Sequence, residues 1–219
     1  MDQKQQEQGA SIAVLKSEMQ PLKVSLIGHS FIRRLRDYIY LNPEDVNVRL
    51  DQSRFTVSYV ARGGLTVPRL FELSEFTHFP ERPHFVFLPL GGNDISCSAP
   101  NIQRTASDIL NYAQYLVEGV DVQHVIIGQV LRRTKSTNIA YNDDVMELNN
   151  LLTTLCSDHP KISFWRHRGF WASLDYLDTD GVHIRSDLEG KYSRKYLQSI
   201  KSAILHFTKF LDSKSPHML

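Results

Sequence analysis

The stretch "VSLIGHSFIRRL" (residues 24–35) changes character in its middle. Apolar and β-branched residues run to Gly28-His29-Ser30, and an amphipathic pattern starts directly afterwards. A buried strand therefore hands over to a helix at Ser30. A serine at such a junction is either a helix N-cap, its hydroxyl accepting a backbone N–H, or a nucleophile held at a sheet edge. The Gly-x-Ser-x-Gly elbow of the α/β-hydrolases is excluded, because that pattern needs glycine at position 32 and the chain has Ile32.

The same handover recurs. Runs read as buried strands are "KVSLIGHS" (23–30), "FTVSYVAR" (55–62), "HFVFLPLGG" (84–92), "HVIIGQVL" (124–131) and "KISFWRH" (161–167). Helical spacing of apolar residues covers 101–119 and 142–156, and closes the chain through Tyr192, Tyr196, Ile200, Ala203, Ile204, Phe207 and Leu211. Strand alternating with helix means an α/β fold with a five-stranded parallel sheet covered on both faces. The expected organisation is one domain over 21–212, with a loosely held polar segment at 1–20 and a tail at 213–219, both lacking periodic apolar anchors.

Composition narrows the function classes. Lys+Arg 25 against Asp+Glu 24 leaves a formal charge of +1, so no whole-molecule field draws the chain to nucleic acid or an anionic membrane. Recognition of an anion has to be local. Cys97 and Cys156 lie far apart with no CxxC or Cys/His spacing, which argues against a disulfide scaffold and against a metal finger. They read as free thiols in a reducing compartment. The early apolar run "SIAVL" is too short for a signal-peptide core and no stretch is long enough for a membrane span. A cytoplasmic protein is the expectation.

In open parallel sheets, ligands bind at the carboxyl ends of the strands. Those ends carry Gly28-His29-Ser30, Arg62-Gly63-Gly64, Gly91-Gly92-Asn93-Asp94, Arg132-Arg133 and "RHRGFW" (166–171). A serine hydroxyl needs a base, and the best candidate is the Asp180-x-x-His183 pair just before the last helix. Its carboxylate could orient an imidazole that takes the proton from Ser30. Acyl transfer also needs donors for an oxyanion. Gly64 offers a backbone N–H in a turn and Asn93 a side-chain amide. Each residue alone has an ordinary turn or cap reading. Together they supply four different required roles at one sheet edge.

At these residues the sequence resembles the SGNH, or GDSL-like, hydrolase family. "IGHS" is similar to its first block, with Ser30 as nucleophile and, through its own N–H, part of the oxyanion hole. "RGGLT" is similar to the second, with Gly64; "LGGND" to the third, with Asn93; and "DGVH" to the last, with Asp180 and His183. The resemblance spans roughly residues 22–210. It implies a flavodoxin-like three-layer fold and a serine esterase or deacetylase that, without metal or cofactor, hydrolyses small acyl esters or O-acetyl groups of a small molecule, carbohydrate or lipid. One position departs: His29 stands where the family's first block has aspartate.

A competing reading comes from "RRLR" (33–36), "LRRTK" (131–135) and "FWRHRGFW" (164–171), which mix basic with aromatic residues as single-stranded nucleic-acid sites do. Under it the chain is an SGNH-fold module binding RNA or another anion. Arg132, Arg133, Arg166 and Arg168 follow neighbouring strands, so some of them are expected to face the Ser30 crevice, where they would bind an anionic substrate group. "RRLR" is expected to point to solvent.

Overall fold

The computed structural model describes residues 20–186 and 189–212, with side chains to residue 209. The N-terminal segment through residue 19 and the tail 213–219, both expected to be loosely held, lie outside the described residues.

Five strands, β1 (Leu22–Gly28), β2 (Phe55–Ala61), β3 (Phe85–Leu88), β4 (His124–Gly128) and β5 (Ile162–Trp165), form one sheet in the order β2-β1-β3-β4-β5. All pairings are parallel. The long helices are α1 (Ser30–Leu41), α2 (Ile102–Glu118), α3 (Tyr141–Ser157) and α4 (Lys191–Asp212).

Strand alternation divides the interior into two cores, one on each face of the sheet. Ile27, Val86, Leu88, Val125 and Ile127 pack with α2 and α3, through residues such as Ile109, Leu116, Leu148 and Leu152. Their chain neighbours Leu26, Phe85, Phe87 and Ile126 pack with α1 and α4, through Ile32, Leu35, Ile200 and Ile204. A strand buried on both faces has no polar side, hence the near-continuous apolar runs in the sequence.

The strands are shorter than the runs, for local reasons. β3 stops before Pro89, which has no N–H to give the ladder. Past β4, the Asn149 side chain replaces a strand partner, accepting from Val130 N at 2.9 Å and donating to Val130 O at 3.0 Å. The edge strand β2 is treated similarly. Asn47 donates to Phe55 O at 2.9 Å and accepts from Val57 N at 2.8 Å, blocking part of an edge that could otherwise template another strand.

Candidate active site

β1 ends at Gly28 because nothing larger fits: a Cβ there would lie 2.9 Å from Ile32 Cγ1 and 3.2 Å from Pro89 Cγ. The next residue, His29, is the N-cap of α1, its Nδ1 accepting the Phe31 N–H at 3.3 Å. Ser30 is thus the first helical residue and not the cap. Its hydroxyl is free for another partner. Burial, then the charges of Arg133 and His183, pushes the His29 pKa down to about 3, which keeps its ring neutral and its Nδ1 lone pair available for capping. In the sequence His29 stood out only as a departure from the first block, with no sign of this capping role.

The partner of Ser30 comes from the turn before α4. There Asp178 N bonds to His183 O at 2.8 Å, Gly181 N bonds to Asp178 O at 2.9 Å, and Leu177 and Ile184 form an antiparallel bridge. Gly181 has φ +69°, and a Cβ on it would lie 2.4 Å from Thr134 Oγ1, so the turn requires glycine twice over. Its carbonyl accepts from Thr134 N at 2.9 Å and Lys135 N at 3.2 Å, fastening the turn to the loop after β4.

Within this turn, Asp180 Oδ1 accepts the backbone N–H groups of Val182 and His183, each at 2.9 Å. Asp180 Oδ2 lies 2.7 Å from His183 Nδ1, and His183 Nε2 lies 2.9 Å from Ser30 Oγ. Partial burial pulls the Asp180 pKa upward, but the two backbone donors and then the imidazole outweigh it and hold the carboxyl well below the usual range. An ionised carboxylate on Nδ1 fixes the tautomer with Nε2 as the lone-pair nitrogen, aimed at the Ser30 hydroxyl. The Phe31 ring packs edge-on against His183, their centroids 5.9 Å apart.

Gly64 follows β2, whose last residue is in register with Gly28. It has φ +69°, is exposed, and a Cβ on it would meet nothing within 4 Å. Its N–H makes no hydrogen bond among the described residues. Asn93 is tied to the same turn, its Nδ2 donating to Leu65 O at 2.9 Å, which leaves one amide hydrogen over. Arg133 Nη2 donates to Asn93 Oδ1 at 3.2 Å and so sets which end of the amide faces the turn. Gly92 makes room for that guanidinium: a Cβ there would lie 3.1 Å from Arg133 Nη2.

The four arginines considered for substrate binding do not act as one rim. Arg133 is buried at 6% exposure, bonded to Ser96 Oγ at 2.6 Å and to Asn93, with Tyr141 beneath its guanidinium at 5.1 Å. It stands behind the amide and not in the crevice, because a tyrosine ring and two acceptors offer it more than solvent does. Arg132 is drawn over Trp171, 4.7 Å from the ring centroid, and bonds to Trp171 O. Arg166 turns to α3, reaching Thr153 Oγ1 at 3.3 Å. Arg168 is exposed, with no partner among the described residues. The aromatic residues between them are also spent. Phe170 is fully buried, Phe164 and Trp165 pack on the two cores, and Trp171 carries Arg132.

Two arginines that sequence reading turned to solvent stand at the site instead. Arg34 donates to Asp180 Oδ2 at 3.4 Å and lies 3.7 Å from Asp178 Oδ2. The Arg33 guanidinium lies over Gly63, with Nη1, Cζ and Nη2 at 3.1, 3.3 and 3.7 Å from where a Cβ would be. The signal was present in the spacing: on a helix, Ser30 faces residues 33 and 34.

No protein-family model and no curated protein matches the chain. Solved structures do. A GDSL-like lipase from Bacteroides thetaiotaomicron superposes with a TM-score of 0.61 at 18% identity, covering 90% of this chain and 97% of its own. This is the fold of the GDSL-like hydrolases. An acetylxylan esterase from Geobacillus stearothermophilus shares the SGNH fold at a TM-score of 0.60 and 13% identity, over 84% of this chain and 95% of its own. So does a lipase/acylhydrolase from Enterococcus faecalis, at 0.58 and 13%, over 83% and 96%. The sheet order and both helical layers thus belong to an SGNH architecture spanning nearly the whole described chain.

Proposed function

We propose that the chain is a serine ester hydrolase acting on acyl esters of small molecules, carbohydrates or lipids through Ser30, His183 and Asp180. The observation that carries this reading is the unbroken line from Asp180 Oδ2 to His183 Nδ1 at 2.7 Å and from His183 Nε2 to Ser30 Oγ at 2.9 Å. His29 relieves Ser30 of capping, so the hydroxyl is committed to the imidazole.

In the first step Ser30 Oγ attacks the acyl carbon while His183 Nε2 takes its proton, and Asp180 stabilises the imidazolium. The oxyanion that forms is held by the Gly64 N–H, the remaining Asn93 amide hydrogen and the Ser30 N–H, which has no acceptor within its own helix. His183 returns the proton to the leaving alcohol. Water, deprotonated by the same imidazole, then releases the acid from the acyl-enzyme. The proteins of like fold, a lipase, a lipase/acylhydrolase and an acetylxylan esterase, support the ester class.

The RNA-binding reading has less support, since the aromatic faces it needs are packed in the cores or covered by arginine.

A fluorophosphonate probe and a short p-nitrophenyl ester test the proposal. The wild-type chain labels at Ser30 and turns the ester over, and Ser30→Ala abolishes labelling and lowers kcat on the order of a thousandfold or more. His183→Ala loses as much, and Asp180→Asn loses less, because the carboxylate orients the base and moves no proton itself. Near-wild-type turnover by Ser30→Ala overturns the assignment.

A further inference from the structure

On the surface of α1, the neighbours of Ser30 at i+3 and i+4 are Arg33 and Arg34. Helical side chains lean toward the N-terminus, so both guanidinium groups are carried up to the nucleophile's end of the helix. They then part. Arg34 goes to the acidic turn and is occupied by Asp178 and Asp180. Arg33 goes the other way and lies against Gly63, next in the chain to Gly64 with its open face.

Arg33 is exposed and has no hydrogen bond or ion pair among the described residues. The acids that could neutralise it are engaged elsewhere. Asp37, its natural i+4 partner, takes two bonds from Arg36 at 3.0 and 2.8 Å. Glu75 is paired with Arg62 at 2.9 Å. Asp94 is turned inward, accepting from Val67 N at 2.8 Å. Asp180, on the far side of Ser30, is shared by His183 and Arg34. An exposed, uncompensated planar cation therefore borders the turn that holds Gly64.

We infer that Arg33 reads a negative charge on the substrate, and that the esters this site prefers are acidic ones, with a carboxylate, sulfate or phosphate close to the scissile bond. The inference rests on the hydrolase reading and names its substrate class. It moves anion recognition from the arginines after β4 and β5 to the nucleophile's own helix. Guanidinium suits the task because its paired donors match such oxyanions in a two-point contact.

The test uses two matched pairs of esters. Mono-p-nitrophenyl succinate and its methyl ester differ by a charge on the acyl side. 4-Acetoxybenzoate and its methyl ester differ by a charge on the alcohol side. In at least one pair the wild type shows a kcat/KM for the anion about threefold to tenfold above that for the neutral ester at low salt, chiefly through KM. Half-molar salt shrinks the ratio, since an exposed cation is screened. Arg33→Gln brings the ratio to about one and Arg33→Lys keeps part of it. A wild-type ratio near one in both pairs overturns the inference and leaves the hydrolase reading standing. So does an equal fractional loss on anion and neutral ester in Arg33→Gln, which would make Arg33 a prop for the Gly63 turn. A wild-type chain that turns over none of the four esters and takes no fluorophosphonate overturns both.

Discussion

Arg34 and Asp180 are 146 residues apart in sequence, yet Arg34 Nη2 lies 3.4 Å from Asp180 Oδ2, the same oxygen that meets the His183 ring. One guanidinium thereby ties the helix that begins with Ser30 to the turn that carries its base. The pair is solvent-exposed by about two-fifths on each side, so its worth to global stability is small, within about 1 kcal/mol. Its effect belongs to positioning. Arg34→Gln is expected to lower kcat a few-fold with KM little changed, and Arg34→Lys to recover part of the loss. A rise in KM at unchanged kcat would instead put Arg34 on the substrate.

His29 bears on stability through the cap. His29→Ala removes the acceptor of the Phe31 N–H and costs about 1 kcal/mol for the cap, plus the lost packing of a buried ring. His29→Asn keeps an acceptor at the cap and recovers most of the capping share. Urea unfolding of the two variants checks this, and equal destabilisation of both would show that the bond from Phe31 contributes nothing.

Arg133 is expected to behave as a support for Asn93. Arg133→Met keeps the buried stem, removes the donors to Asn93 Oδ1 and Ser96 Oγ, and should lower kcat about tenfold or more on charged and neutral esters alike. Asn93→Ala should lose at least as much. A loss confined to anionic esters would return Arg133 to the substrate-reading role that the sequence suggested.

Acid should destabilise the fold before it reaches the ordinary carboxylate range. Burial lowers the pKa of His29 and His167 from 6.5 to about 3, and that of His124 to about 4. Between pH 6.5 and those values the unfolded chain binds protons that the folded histidines refuse, so stability falls by up to about 1.4 kcal/mol per pH unit for each. Asp94 has the opposite sign. Burial raises its pKa from 3.8 to about 6, so it gains stability as pH drops from 6 to 3.8. His84, whose pKa burial also lowers, adds a loss of the same sign, so the losses outnumber the one gain and leave a net fall. Thermal unfolding should show Tm dropping from pH 6.5 to 4. His167→Asn, which removes one titrating ring held by Ser199, should make that drop shallower, and an unchanged slope would remove His167 from the account.

The parallel sheet and the strand ends that carry chemistry could be read from the residues alone. Apolar runs without polar alternation mean strands covered on both faces, and Gly, Asn, Asp and Ser at their ends mark turns. Both are local signals, written over a few consecutive residues. Ser30, Gly64, Asn93, Asp180 and His183 were legible for the same reason, each sitting in a short motif.

What each polar group faces was set by the packing of the folded chain. Whether Ser30 or its neighbour caps α1 depended on a histidine ring finding room beside Phe31, and whether an arginine meets substrate depended on which acceptor or ring lay nearest. "RRLR" and "LRRTK" look alike on the page. Arg133 disappeared behind Asn93 because Ser96, from a segment 37 residues away, and Tyr141, at the start of α3, receive it, while Arg33 stayed uncompensated because Arg36 had already taken Asp37. A long cationic side chain chooses its partner within several ångströms of its Cα, so its direction is fixed by the three-dimensional neighbourhood and not by its place in the chain.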